Sequence, residues 1–164
     1  MTTLADRSCA GCSLCCTLLS VAELDKPPMV RCDNCLGDRG CRIYPQRPTE
    51  CRQFYCGYLL RADLDSRWKP SRSRLVVTFD EPPRDIAIHV DPATPDAWRK
   101  EPYFSQIHRW ARAAAASNAQ VIVWQGDRKI VVSPDLAMPA STPNRSERSP
   151  GGPRSGSPQG THGG

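Results

Sequence analysis

The chain has 164 residues, 39% of them hydrophobic and 7% aromatic, and its mean hydropathy is −0.50, which suits one modest domain or two small lobes. No stretch approaches the ~20 consecutive apolar residues that cross a bilayer, which excludes a helical membrane span, and the polar residues 1–13 lack the charged start and apolar centre of an export signal, which predicts a cytoplasmic protein. The formal charge of +5 is only mildly basic, and ligation of two divalent ions by eight thiolates would reduce it to about +1, so charge does not argue for a polyanionic partner.

All nine cysteines lie before residue 57: Cys9, Cys12, Cys15, Cys16, Cys32, Cys35, Cys41, Cys51 and Cys56. In a reducing compartment, an odd number of clustered thiols points to metal ligation before disulfides. Cys9-Ala-Gly-Cys12-Ser-Leu-Cys15-Cys16 holds two overlapping Cys-x-x-Cys units, a spacing that lets paired thiolates reach one metal. If the segment is helical from about Cys12, then Cys12, Cys15 and Cys16 share one face. A third unit, Cys32-Asp-Asn-Cys35, is followed by Gly37 and Gly40, which permit a sharp return to Cys41. Eight thiolates would fill two closed, tetrahedral four-cysteine sites. Arg47 and Arg52 are candidates to screen such a cluster by donating to sulfur, and Tyr44, Phe54, Tyr55 and Tyr58 to wall it from water.

The run Cys-x-x-Cys-x-x-Cys-Cys, followed by Gly-Cys-x-Ile-Tyr-x-x-Arg-Pro-x-x-Cys-Arg-x-Phe-x-Cys, resembles the YkgJ-type cysteine-cluster proteins, a family of zinc- or iron-chelating domains. The resemblance covers roughly residues 9–60. It implies metal chelation, with Cys9, Cys12, Cys15, Cys16, Cys41, Cys51 and Cys56 as ligands and one of Cys32 and Cys35 as the eighth. Soft thiolates suit zinc and iron–sulfur clusters alike. The opening run overlaps a ferredoxin pattern, but the fourth cysteine follows immediately and no proline comes after it, which favours zinc.

Residues 1–60 therefore read as a metal-stapled, cysteine-rich lobe with short helices, and 61–73 as a polar connector. The connector carries Arg67, Trp68, Lys69, Arg72 and Arg74, compatible with phosphate contacts but read as a solvated linker. Residues 74–133 then form a second unit. Leu75, Val77 and Phe79 alternate with polar or opposite-facing positions, as do Ile86, Ile88 and Val90, the period of strands. Glu81-Pro82-Pro83-Arg84 turns the chain between them. A helix follows, with Pro102 in its first turn, Tyr103, Ile107, Trp110 and Ala114 along one face, and its end before Asn118. Two further strands, 120–124 and 129–133, are joined by Gly126-Asp127, which suits a type II′ hairpin with Val123 opposite Ile130 and Val121 opposite Val132. The order ββαββ predicts an α+β fold: a small antiparallel sheet with one covering helix. Trp98, Trp110 and Trp124 are expected in its core, and His89 and His108 on its surface. Residues 134–164, with six Pro, six Gly and five Ser, read as a disordered tail.

Three functions compete. A metal-binding module with a structural, storage or sensing role leads, because the histidines at 89, 108 and 162 are scattered and no Ser-His-Asp or Cys-His set is evident. An iron–sulfur enzyme is second; the flagellin lysine N-methylases share a similar cluster, but the likeness ends there and no Gly-rich nucleotide motif is present. A nucleic-acid-binding zinc protein is third, weakened by seven Lys+Arg against six Asp+Glu before residue 61. The partners expected are metal ions, without a membrane.

Overall fold

The computed structural model describes residues 4–79 and 85–135. The expected turn at Glu81–Arg84, His162 and the expected disordered tail from residue 136 onward lie outside the described residues. The fold is α+β. Its helices are α1 (Cys15–Leu18), α2 (Thr49–Gln53), α3 (Gly57–Leu60), α4 (Pro70–Ser73) and α5 (Tyr103–Ala115); its strands are β1 (Leu75–Phe79), β2 (Ile86–Val90), β3 (Val121–Gln125) and β4 (Arg128–Val131).

The strands form one sheet in the order β1-β2-β3-β4. The outer pairs are antiparallel, as alternation suggested, but β2 and β3 run parallel, with Ile86 beside Val121 and Ile88 beside Val123. The expectation of an all-antiparallel sheet is thus corrected. The reason is the connection: a chain that leaves β2 and returns through a 13-residue helix has crossed back along the sheet, and such a crossover delivers the next strand parallel. The β3–β4 hairpin has the expected register, with Val123 opposite Ile130 and the Val132 amide donating to the Val121 carbonyl at 2.9 Å. Gly126 takes φ +66°, which a two-residue primed turn requires at its first position.

Helix α5 buries Ile107, Trp110, Ala111 and Ala114 against the sheet face formed by Leu75, Val77, Ile88, Val90, Val121 and Val123. Its C-terminus is closed by Asn118 at φ +54°, with the Ala119 amide returning to the Ala114 carbonyl at 2.9 Å, a Schellman-type end. Trp98 and Trp110 are core residues as expected, while Trp124 is only half-buried. His108, expected on the surface, is buried on α5 and stacked on Phe104 at 4.3 Å, and this burial lowers its pKa.

Residues 61–73 are not a solvated linker. Leu64 and Trp68 belong to the main core, Trp68 packing against Tyr103 and Trp110 with ring centroids 5.0 and 5.1 Å apart. Its basic side chains stay at the surface and pair close by, Arg61 with Asp63, Arg67 with Asp65, Lys69 with the Ala10 carbonyl and Arg72 with Ser66, while the adjoining Arg74 pairs with the buried Asp91.

The opposite face of β1 is buried as well. Val76, fully buried, joins Leu14, Leu18, Cys56 and Leu59 in a second cluster, and this contact seats the cysteine lobe on the sheet. Gly57, in the same α3, faces the main core instead, where an added Cβ would stand 2.7 Å from the Phe79 ring, 3.1 Å from Leu64 and 3.2 Å from the Val77 Cβ. Gly57→Ala should therefore cost about 1–3 kcal/mol through overpacking, read as a lower urea midpoint at unchanged slope; an unchanged midpoint would contradict this close packing of α3 on β1.

Candidate functional site

The cysteines arrive on turns and very short helices. Cys9-Ala-Gly-Cys12 closes a turn in which the Cys12 amide donates to the Cys9 carbonyl at 2.9 Å, with Gly11 at φ +66°, a value that an L side chain would adopt only under strain. Helix α1 begins at Cys15, so Cys12 lies outside it and the expected helical trio of Cys12, Cys15 and Cys16 does not form. Leu14 occupies the cap position, and its side chain joins the seam cluster with Val76.

The second cysteine segment runs beside the first. The Cys32 amide donates to the Cys16 carbonyl at 3.0 Å, and the Met29 amide to the Leu18 carbonyl at 3.3 Å. Cys35 then pairs with Cys41 as an antiparallel bridge, and the Leu36 amide donates to the Gly40 carbonyl at 2.8 Å; the return at Gly37 and Gly40 is as expected, both glycines having positive φ. Cys51 sits in α2, whose Glu50 is clasped to the loop at Ala22–Leu24: the Ala22 amide donates to Glu50 at 2.8 Å and the Glu50 amide to Glu23 at 3.1 Å. Cys56 precedes α3 and is buried in the seam. The N-terminal segment is pinned to the same helix by the Arg7 guanidinium, which donates to the Tyr58 carbonyl at 2.5 Å and the Arg61 carbonyl at 2.8 Å.

All nine predicted site residues are thus in one lobe, and all are free thiols. They lie within electrostatic reach in two neighbourhoods that meet at Cys16. Burial pushes the Cys56 thiol up to about 11, with Cys9 and Cys12 adding to the rise, and burial followed by Cys12 raises Cys9. Cys51 is raised by burial and then by Cys16, Cys32 and Cys41. Cys15 donates a hydrogen bond to Cys16 and holds its own proton firmly. Cys16 is brought down to about 6, first by that bond, against the opposing effect of burial, with help from the Cys35 thiol and the Lys26 ammonium.

Among the described residues, no group of three or more His, Cys, Asp or Glu side chains stands ready to hold a metal ion. The donor chemistry fits a soft metal. Of the expected surrounding groups, Phe54, Tyr55 and Tyr58 pack on the seam cluster, but Tyr44 is 56% exposed and so does not wall the site. Arg47 stacks over the Tyr44 ring at 4.2 Å and lowers the Cys9 pKa through space. Arg52 donates to Thr49. His89 is on β2 and His108 on α5.

Sequence reasoning missed Lys26, which is 6% exposed. Burial lowers its pKa, while Cys32, Cys16, Cys15 and Cys51 act to raise it. The signal was available: Lys26 is the single lysine before residue 61, where the other six cations are arginines. No helix among the described residues is long and apolar enough to cross a membrane. Comparison with family models, curated proteins and solved structures finds no match to this chain.

The pKa directions give a test on reduced, chelator-treated protein. The thiolate of Cys16 forms as the pH rises through about 6, so iodoacetamide should label Cys16 well before Cys15 and Cys56 at pH 7, read by peptide mass spectrometry. Because its pKa is lowered in the fold, its ionisation favours the folded chain above the free-thiol value, and that contribution disappears as the pH falls through about 6. Equal labelling of the three thiols would contradict this electrostatic picture.

Proposed function

We propose that residues 9–56 form a metal-binding module of the YkgJ cysteine-cluster type, taking zinc or iron through thiolates in a structural, storage or sensing role without catalysis. The observation that carries this reading is that nine free thiols, delivered to one lobe by separate turns and short helices, fall into two neighbourhoods of mutual electrostatic influence that share Cys16. The candidate ligands are Cys9, Cys12, Cys15, Cys16, Cys32, Cys35, Cys41, Cys51 and Cys56, one more than two four-cysteine sites use.

The local energetics support it. The seam cluster contains only Leu14, Leu18, Cys56, Leu59 and Val76 as buried members, a small apolar core for some fifty residues of turns. Thiolate ligation of a structural zinc contributes roughly 10–16 kcal/mol, on the scale of a whole domain's stability. A bound ion would supply cross-links between segments that here touch mainly through single main-chain hydrogen bonds. The protein's own part is to bring the sulfurs together, ionise Cys16 first and offset negative charge with Lys26 and Arg47. A reducing compartment, the cytoplasm, keeps the thiols available.

Purification without oxygen, followed by elemental analysis, tests the reading. At least one zinc or iron per chain is expected, and the triple change Cys12→Ser, Cys16→Ser and Cys51→Ser should remove it and lower the thermal midpoint. Absence of stoichiometric metal from the unaltered protein would overturn the proposal.

A further inference from the structure

Lys26 is the least expected charge in the molecule. The Val21–Lys26 segment closes on itself, the Val21 amide donating to the Lys26 carbonyl at 2.9 Å and the Lys26 amide returning to the Val21 carbonyl at 3.1 Å. Asp25, at φ +47°, turns the chain so that the Lys26 side chain enters the lobe instead of leaving it. There the ammonium donates to the main-chain carbonyls of Thr17 at 3.3 Å, Pro27 at 3.0 Å and Leu19.

Three acceptors account for all three hydrogens of an ammonium, whereas a neutral amine has two. The cage is therefore built for the charged form. A buried ammonium is costly unless an opposite charge offsets it, yet Lys26 is in none of the ion pairs among the described residues. Two of its three carbonyl partners, Thr17 and Leu19, belong to the α1 segment that carries Cys15 and Cys16. The Cys32 amide is hydrogen-bonded to that same segment. The ionisable groups that act on the ammonium most strongly are the sulfurs of Cys32, Cys16, Cys15 and Cys51.

We infer that Lys26 is the resident counter-cation of the thiolate cluster, a positioning residue that makes a sulfur-only, net-anionic metal centre tolerable inside the lobe. This rests on the metal-binding reading above. Since the carbonyls occupy its donors, Lys26 acts on the sulfurs through space and not as a hydrogen-bond donor. Its charge is what matters, and arginine should substitute for it better than any neutral side chain. Burial also shields the interaction from salt.

Cobalt(II) titration of the reduced full-length chain tests this, with the sulfur-to-cobalt absorption band reporting ligand geometry and competition with a chelator reporting affinity. Lys26→Met should bind cobalt(II) about 10-fold more weakly or worse, the usual effect of removing a group that supports the ligands, with the band unchanged. Lys26→Arg should restore most of the affinity. If Lys26→Met does not fold, Lys26→Gln, which keeps part of the carbonyl cage, reads the same loss of charge. Neutral variants that bind as tightly as the unaltered chain would overturn the inference alone. So would a band that changes in every variant without rescue by arginine, because Lys26 would then be only a structural brace. Failure of the unaltered chain to bind cobalt(II) would overturn the metal-binding reading and this inference together.

Discussion

The back of β1 is the contact on which the rest of the chain depends. Val76, with no exposed surface, is pressed between a conventional α+β sheet and a lobe that has almost no interior of its own. Leu14, Leu18, Cys56 and Leu59 reach that one side chain and its surroundings; farther out, order comes from turns, the positive-φ glycines Gly11, Gly37 and Gly40, and main-chain hydrogen bonds. Burial of so few side chains is small against the cost of ordering some fifty residues, so the segments that carry the thiols are held closely where they meet the sheet and more lightly where they meet one another.

That arrangement concentrates ionisable sulfur in a place where few other charges are available. The lobe is nearly charge-balanced in sequence, and Glu23 and Glu50 hydrogen-bond to backbone amides that join loop to helix. The cations that act on sulfur are Lys26 from within and Arg47 and Lys69 beside Cys9, while Glu50 opposes ionisation of Cys51. One thiol, Cys16, receives hydrogen bonds from two neighbours and the field of the buried ammonium. It sits where the N-terminal and second cysteine segments are joined by their backbones, and any shared chemistry of the two neighbourhoods must involve it.

The sheet was legible from alternation because β4 and the hairpin around Gly126 follow local rules that the core does not override. The parallel β2–β3 pair was not, because strand direction is set by how far α5 carries the chain and not by the strand residues themselves. Alternation did not show what covers Val76, which is buried by residues from distant parts of the cysteine lobe, Leu14 and Leu18 on one side and Cys56 and Leu59 on the other. Likewise Trp68 among basic residues looked like linker, and only the tertiary contact with Tyr103 and Trp110 makes it core. For the candidate site, cysteine spacing foresaw the return at Gly37 and Gly40 but put α1 one turn too early. Lys26 stood out only as the one lysine among the cations before residue 61, and nothing local tells an inward lysine from a solvated one.

Mass spectrometry under non-denaturing conditions measures the central claim most directly, comparing the folded chain with the same sample after acid. The account predicts a folded mass above that of the reduced chain by one or two zinc or iron ions, less the protons displaced from thiols, and loss of that excess in acid. A folded species whose mass equals that of the bare chain with nine intact thiols would contradict it.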